Sequence, residues 1–501
     1  MNFSSDKLER VSEWLSSQIG SFYFVGGVVR DLISGRDGSP GDLDVITPAD
    51  VSDISSAFEH GNFINKDHDT YSVPFRAGKE RIDVEITSIP AGRIEDDLLS
   101  RDLTINSVAV HVTEESGFSW QNVRDPCGGR EDIRFRVLRC YRKENLAADP
   151  LRLLRIFRFQ SVFGFDIEPN TFFWIRDLRE TIHRVAAERL YKELILLLSS
   201  QNRVNAIREM AKSGLLQELM PLINESVTFL HSDRHHNGES VLEHSLRVME
   251  QLELNADTGL IALFHDTGKP FVFDGKHYIG HEKKSVELTE KTLDSLKFPK
   301  KQQRRVCDAI KWHMIPLNSL GVMREMAYHL GRERFEEEIK FVVADKLSHK
   351  KGWKETAQYQ LFEKNYRNVL NDFKAFKRID ELISGDVLIS FGLQPCKGFQ
   401  PILAFLRKHF IRKLERLNAE NVKVMLEQNL LFKERYPFFK HGSKSAIRVE
   451  EFLVDNEIFG LLDTAGKHRI KTGIFTYNYC SEGEYKRWKE KRERESILFY
   501  C

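Results

Sequence analysis

The strand-like patterns of this 501-residue chain are confined to its first 140 residues. Apolar residues there alternate with polar ones or form short runs, which predicts strands. After Asp149 the apolar residues recur every three to four positions until about residue 430, which predicts helices. The sequence thus predicts an α/β head followed by a long all-helical remainder. The predicted strands are Phe22–Val25, Leu43–Ile46, Arg81–Thr87 and Thr104–Val112, and the clearest helices are Val28–Ile33, Leu151–Phe159, Ala187–Leu198 and Val204–Met220.

Length and composition limit what such a chain can be. A length of 501 residues with 41% hydrophobic residues predicts three or four domains with separate cores. The net formal charge is only +1, so any nucleic-acid site must rest on local clusters of charge. The six cysteines form no CxxC pair, and the sequence shows neither an apolar signal segment nor a membrane-length apolar run. We therefore expect a soluble cytoplasmic protein with reduced thiols.

Two aspartates in the head suggest metal-dependent chemistry. Asp42 and Asp44 lie two positions apart on a predicted strand, so both carboxylates should project from one face. Such a pair can share two Mg²⁺ ions, one activating an attacking hydroxyl and the other holding a triphosphate. Gly26 and Gly27, between a strand and a helix, would let backbone amides approach a phosphate. Each feature alone is commonly a simple turn, but in this order they predict a nucleotidyl-transfer site.

Seven ordered sequence blocks resemble the polymerase-β-type head and neck of class II CCA-adding enzymes. The resemblance implies template-independent addition of CCA to tRNA 3′ ends from CTP and ATP, with Mg²⁺ in the head. It also implies that tRNA is the macromolecular partner. The blocks are Val25–Asp31, Gly41–Val45, Ile94–Leu98, Arg101–Asn106, Asp125–Gly129, Asp149–Phe159 and Glu188–Leu194.

The resemblance also implies roles for individual residues. Asp42 and Asp44 would be the catalytic metal ligands, and Asp83 is the candidate third acid, with Glu85 on the same strand face as the alternative. Asp149 and Arg152, one helical turn apart, would offer an acceptor and a forked donor to the edge of a base. The other implied nucleotide-binding residues are Gly26, Gly27, Arg30, Arg101, Asp102, Asn106, Arg155 and Arg158.

Two departures from the family pattern bear on which nucleotides are added. The nucleotide-selecting motif usually begins with Glu-Asp, but here Ala148 precedes Asp149. The segment from Ser88 to Ile94 is also short, whereas CCA-adding members carry a longer flexible segment there. Relatives that add only CC tend to lack that segment. The terminal A is therefore the part of the predicted activity that these departures put in question.

A second set of metal-binding side chains lies in the middle of the chain. Ten of the 17 histidines fall between residues 231 and 349. His265 and Asp266 are adjacent after an apolar run, which can offer nitrogen and oxygen ligands from one helix end to a transition metal. The order resembles an HD phosphohydrolase domain, and some CCA-adding enzymes carry one after the neck. The resemblance implies Ni, Mn, Co or Fe bound by His244, His265, Asp266, His281, His313 and Asp345.

Clusters of basic residues are candidate contacts with the tRNA backbone. Point charges recognise the shape of an RNA and not its sequence. Clusters of this kind are more often solvated surface than RNA-binding sites. The clusters are Lys297–Arg305, Arg407–Arg416 and Lys486–Lys489.

We expect five segments along the chain. They are a nucleotidyltransferase head (1–140), a helical neck that selects nucleotides and binds RNA (141–225), an HD domain (226–350), a tRNA-binding helical tail (351–436) and an extension of unknown role (437–501). The predicted activity is CCA addition with a second phosphohydrolase activity. The alternatives are addition of CC alone, a poly(A) polymerase, or a metal phosphohydrolase whose head only binds RNA. No membrane contact is expected, and the sequence indicates no protein partner.

Overall fold

The computed structural model describes residues 5–36, 42–58, 60–65, 69–77, 80–89, 92–230, 239–349, 352–390, 399–429, 469–472 and 475–478. The chain forms two compact units, Met1–Lys311 and Trp312–Cys501. Among the described helices, none is both long and apolar enough to cross a membrane.

The first unit begins with a mixed seven-stranded sheet. Its strand order is β3-β4-β5-β2-β1-β6-β7. Only β2 and β5 pair in parallel, and the other neighbours are antiparallel. The strands are β1 (Phe22–Val25), β2 (Asp42–Thr47), β3 (Asn62–Asn65), β4 (Thr70–Ala77), β5 (Glu80–Ser88), β6 (Ala109–Val112) and β7 (Val123–Arg124). The flanking helices are α1 (Ser5–Ile19), α2 (Gly27–Ile33), α3 (Val51–Ala57), α4 (Ile94–Ser100) and α5 (Gly129–Phe135).

The two faces of this sheet pack against hydrophobic cores of different size. Leu43, Val45 and Val84 belong to a large core that also includes side chains of α1, α2 and α3. Because side chains alternate between the faces of a strand, the even positions of β2 and the odd positions of β5 lie on the other face. There only a small core around Ile46 packs against α4. Asp44, Asp83 and Glu85 are therefore on the less covered face of the sheet.

The neck and the helices after it follow in the same unit. A short parallel bridge joins β8 (Val137–Leu138) to β9 (Asp166–Ile167). The helices are α6 (Lys143–Ala148), α7 (Leu151–Phe163), α8 (Pro169–Leu178), α9 (Ala187–Leu198), α10 (Arg203–Ser213), α11 (Leu215–Leu219), α12 (Asn224–Thr228), α13 (Val241–Glu250), α14 (Ala256–Phe264), α15 (Lys269–Val272), α16 (His281–Ser295) and α17 (Lys300–Trp312).

The second unit is helical over most of its described residues. Arg324 of α18 lies in its interior, where its guanidinium bonds to Asp372 of α20. A two-stranded antiparallel hairpin lies further along the chain. The elements are α18 (Leu320–Leu330), α19 (Arg332–His349), α20 (Ala357–Leu382), α21 (Gly385–Ser390), α22 (Phe399–Arg412), α23 (Ala419–Asn429), β10 (Arg469–Thr472) and β11 (Phe475–Asn478).

The architecture confirms the predicted α/β head and helical remainder, with local differences. The strand predicted over Thr104–Val112 begins only at Ala109, because Thr104–Asn106 forms a 3₁₀ turn. The helix predicted over Val204–Met220 is broken at Gly214, whose φ of +82° cannot continue a right-handed helix. Strands β3 and β4 were not predicted. They supply one edge of the sheet beside β5.

Candidate active site and metal centre

The start of α2 is held against an acidic and a basic side chain. Gly26 has a φ of +68°, and a Cβ placed on it would lie 2.7 Å from Asp44 Oδ2 and 3.3 Å from Arg101 Nη1. Only glycine lets the backbone come this close in this conformation. Arg101 is itself held by Asp97, whose Oδ2 accepts from its Nε at 2.7 Å. The structure thus brings three predicted site residues together: Gly26, Asp44 and Arg101.

The parallel pairing of β2 and β5 places the predicted acids beside one another. In register, Asp42 lies opposite Asp83 and Asp44 opposite Glu85. Asp83 is partly exposed and accepts a 2.8 Å hydrogen bond from Arg81. Both candidates for the third acid therefore border the predicted catalytic pair along the backbone. Gly41 and the side chain of Asp42 lie outside the described residues.

A chain of hydrogen bonds joins α2 of the head to α7 of the neck. Arg30 Nη1 donates to Asn106 Oδ1 at 2.8 Å, and Asn106 Nδ2 donates to Asp102 Oδ1 at 2.9 Å. On the other side of the carboxylate, Arg155 Nε donates to Asp102 Oδ2 at 2.8 Å. Burial raises the pKa of Asp102, but Arg155 and Asn106 outweigh it and lower that pKa to about 2. Four of the predicted nucleotide-binding residues are thus linked in one network.

Two arginines of α7 converge on a buried carboxylate of α9. Glu193 accepts from Arg155 Nη1 at 3.3 Å and from Arg158 Nε at 3.0 Å. Burial lowers the pKa of Arg158, whereas the carboxylates of Asp102 and Glu193 offset burial at Arg155 and raise its pKa. In this structure both guanidiniums bond to protein carboxylates, and they fix α7 against the head and α9.

The two residues predicted to read the base have different partners. Arg152 Nη1 donates to the carbonyls of Ser100 and Asn145, at 2.7 and 2.9 Å. Asp149 instead pairs with Arg189, whose Nη2 lies 2.7 Å from Oδ2 and whose Nη1 lies 3.3 Å from Oδ1. Arg189 lies in the last of the sequence blocks, but sequence reasoning gave it no role. No regular spacing connects it to a partner 40 positions away.

A cluster of buried ligand-type side chains lies between α13, α14 and α16. His265 Nε2 is 3.3 Å from His244 Nε2 and 3.3 Å from Asp266 Oδ2, and His244 Nε2 is 3.5 Å from that same oxygen. His281 Nε2 is 3.2 Å from Asp266 Oδ1. The ligand atoms of His244, His265 and Asp266 lie within 4.8 Å of one another, so these three residues could hold a metal ion.

The surroundings of the cluster orient its imidazoles for metal binding. The carbonyls of Ala262 and Tyr278 lie 2.8 Å from His265 Nδ1 and His281 Nδ1. Since a carbonyl only accepts, each Nδ1 carries the proton, which makes Nε2 the nitrogen that can coordinate a metal. Lys269 Nζ is 2.6 Å from Asp266 Oδ2. Burial raises the pKa of Asp266, but His265 and Lys269 outweigh it and hold that pKa well below its usual range.

The other two predicted ligands belong to the second unit. His313 follows α17 directly and Asp345 lies on α19, and both side chains are buried. The adjacent pair His235-His236 lies outside the described residues.

The predicted basic clusters are partly neutralised within the protein. Lys300 pairs with Asp294, and Arg305 lies 3.2 Å from Asp257. In the second cluster, Arg412 pairs with Glu325 at 2.7 Å. The third, Lys486–Lys489, lies outside the described residues.

Three protein-family models match successive segments of the chain. The model of the poly A polymerase head domain matches residues 22–139. The model described as a probable RNA and SrmB-binding site of polymerase A matches residues 164–226, and the HD domain model matches residues 241–350. An A-adding tRNA nucleotidyltransferase of Deinococcus radiodurans is 29% identical over 338 residues, which cover 64% of this chain and 75% of that protein.

The chain therefore combines a poly A polymerase head domain with an HD domain, and the proteins similar to it include tRNA nucleotidyltransferases. A CC-adding tRNA nucleotidyltransferase of Shouchella clausii is 34% identical over 198 residues, which cover 39% of this chain and 49% of that protein. Among solved structures, the CCA-adding enzyme of Bacillus stearothermophilus in complex with CTP covers 87% of this chain and 100% of its own at 22% identity. Its TM-score of 0.60 shows a shared fold.

Proposed function

We propose that this protein is a tRNA nucleotidyltransferase that adds CCA to tRNA 3′ ends from CTP and ATP. The observation that carries the proposal is the contact of Asp44 and Arg101 with the backbone at Gly26. A carboxylate and a guanidinium meet the backbone at the start of α2 there, which suits a metal-bound triphosphate. Asp42 and Asp44 are the proposed Mg²⁺ ligands, with Asp83 or Glu85 beside them in register.

Bound Mg²⁺ would stabilise charge on the attacking and leaving oxygens of the transfer. The chain's own residues supply positioning. Arg101 lies where it can meet the triphosphate, and the Arg30–Asn106–Asp102 network fixes the adjoining turn. Asp149 and Arg152 are the residues proposed to face the base of the nucleotide. Arg189 holds Asp149, and the carbonyl of Ser100 holds Arg152.

A second candidate is addition of CC alone. Strand β5 ends at Ser88 and α4 begins at Ile94, so only five residues connect them. This short connection favours CC addition, because the longer segment of CCA-adding members is missing. The similar proteins include one that adds CC and one that adds A, so each partial activity must be tested directly.

The deciding assay uses one tRNA that ends at the discriminator base and a second that ends in CC, each with labelled CTP, ATP or both. Full CCA addition requires extension of both. Product that stops at CC on the first, together with no extension of the second, rejects addition of A. Extension of the second tRNA alone would instead show an A-adding enzyme.

A matched pair of variants tests the proposed metal ligands. Asp44→Asn keeps the size of the side chain but removes the charge, and transfer should fall at least on the order of 10³-fold. Asp50→Asn removes an exposed carboxylate near the same sheet, one that makes no capping bond to α3, and should leave transfer unchanged. Equal activity of Asp44→Asn and wild type would reject the proposed site.

The second activity assigned in this proposal is metal-dependent hydrolysis of a phosphomonoester or a 2′,3′-cyclic phosphate. The support is the set of buried imidazoles around Asp266, in which the Nδ1 atoms of His265 and His281 face carbonyls, so that Nε2 is the coordinating nitrogen. Ni, Mn, Co or Fe suits such mixed nitrogen and oxygen ligands. The predicted ligand roles of His313 and Asp345, which fall within the matched HD segment, stay proposals that rest on the sequence. The five segment boundaries given above also stay proposals.

A further inference from the structure

The pairing of Asp149 with Arg189 occupies most of the carboxylate's hydrogen-bonding capacity. Asp149 Oδ1 accepts from the backbone N–H of Leu151 at 3.2 Å and from Arg189 Nη1 at 3.3 Å. Oδ2 accepts from Arg189 Nη2 at 2.7 Å. An ionised carboxylate offers about four lone-pair sites. Partners among the described residues use three of them, so one acceptor site on Oδ2 is left there, and Arg189 fixes its direction.

The fork of Arg189 takes the place of the glutamate that usually precedes this aspartate in the family motif. Residue 148 is an alanine at the end of α6, so its side chain cannot hold the carboxylate of Asp149. Arg152 is engaged with the carbonyls of Ser100 and Asn145. The fork of Arg189, on the first turn of α9, spans both oxygens of Asp149 and fixes the plane of the carboxylate.

We propose that Arg189 is a positioning residue for nucleotide selection. It aims the remaining acceptor site of Asp149 at the exocyclic amino group that cytosine and adenine share. Uracil and guanine present a carbonyl oxygen at the corresponding position, and a carbonyl cannot donate to a carboxylate. With UTP or GTP, the carboxylate of Asp149 and the carbonyl of the base would face each other as two acceptors, and neither would receive a hydrogen bond. This mismatch is the basis for rejecting UTP and GTP. This inference rests on the proposed nucleotidyl-transfer function.

A purely structural ion pair would behave differently. Arg189 and Asp149 side chains are 52% and 31% exposed, and pairs this exposed contribute little to folding. Removing Arg189 should therefore leave stability nearly unchanged while the carboxylate gains rotational freedom. The substitution should instead change the ratio of kcat/KM for CTP to kcat/KM for UTP. Loss of folded protein lowers both values equally and leaves this ratio unaltered.

The test compares Arg189→Ala, Arg189→Lys and the control Arg184→Ala, an exposed arginine before α9, in the full-length protein. Single-nucleotide addition to tRNA lacking CCA is measured with CTP and with UTP, and to tRNA ending in CC with ATP and with GTP. Arg189→Ala should reduce the CTP/UTP ratio on the order of tenfold, as expected for about 1.4 kcal/mol of discrimination. Arg189→Lys should restore part of it, and Arg184→Ala should match wild type.

Two results would overturn the inference. An unchanged ratio in Arg189→Ala would show that Asp149 selects without this partner. An equal loss in Arg184→Ala would show a general effect of removing charge near α9. A wild-type protein that adds no nucleotide would reject the proposed function itself, and the inference would fall with it. Wild-type selectivity with an unaltered Arg189→Ala rejects the inference alone.

Discussion

The guanidinium of Arg155 and the carboxylate of Asp102 lie 2.8 Å apart and tie the neck helix α7 to the head. Asp102 is buried, and it also accepts from Asn106 at 2.9 Å. Removing Arg155 would leave the buried carboxylate of Asp102 without the guanidinium that pairs with it, whereas Arg155 without Asp102 would keep Glu193. The pair is thus one point at which the two predicted halves of the nucleotide site are joined.

The first prediction concerns pH. Burial raises the pKa of Asp102, yet Arg155 and Asn106 bring it from the usual 3.8 to about 2. Because the folded pKa lies below the unfolded one, this carboxylate stabilises the fold above pH 4 and loses that effect as pH falls towards 2. The contribution is about 2 kcal/mol, of which roughly half is lost by pH 3.

Urea unfolding of the wild type and of Asp102→Asn at pH 6 and pH 3 measures this effect. The difference in unfolding free energy between the two proteins should shrink at the lower pH. A difference independent of pH would contradict the assigned pKa.

The second prediction concerns Gly26. Alanine there would place a Cβ 2.7 Å from Asp44 Oδ2, so the carboxylate must move. Displacing the catalytic carboxylate to relieve this contact should lower kcat/KM for CTP on the order of 10–100-fold. Gly35→Ala is the matched control, since Gly35 also has a positive φ of +64° but nothing within 4 Å of its Cβ position. Equal activity of the two variants would show that backbone strain, and not the contact with Asp44, limits transfer.

Local patterns predicted some features of this protein and missed others for physical reasons. Alternation and short apolar runs located β1, β2 and β5, because each buries one face in a core. The order of His244, His265 and Asp266 predicted a cluster that the fold assembles from separate helices. The partner of Asp149 is set by how α9 packs near the start of α7, and no local pattern encodes that packing. The same holds for Arg203, whose partners come from three separate segments.

The third prediction concerns the histidine cluster. His265→Ala should abolish metal binding at this site, measured as metal content per chain after dialysis, and phosphatase activity with it. Transfer to tRNA should be unchanged, because the head uses other ligands. His277→Ala is the control, since His277 is half-exposed and lies near Asp274. Loss of transfer in His265→Ala together with loss of metal would mean that the two sites are not independent.

The fourth prediction concerns Arg203, a fully buried arginine on α10. Its guanidinium donates to five carbonyls, those of Leu198, Met249, Leu252, Glu253 and Asn255, and to the hydroxyl of Thr258, at 3.0 to 3.3 Å. These groups lie at the ends of α9 and α13 and around the start of α14. Burial lowers the pKa of Arg203 to about 10, so it stays protonated at neutral pH.

Arg203→Met would keep most of the side-chain volume and remove all the hydrogen bonds that the guanidinium donates to these groups, although some of the carbonyls keep a second donor. Each buried carbonyl left without a partner costs about 1–3 kcal/mol, so the free energy of unfolding should fall by at least about 3 kcal/mol. Arg208→Met, on the same helix, removes a partly exposed pair with Glu243 and should cost under about 1 kcal/mol. Since α13 carries His244, metal binding should weaken in Arg203→Met and not in Arg208→Met. Similar losses of stability in both variants would show that the buried guanidinium contributes no more than a surface ion pair.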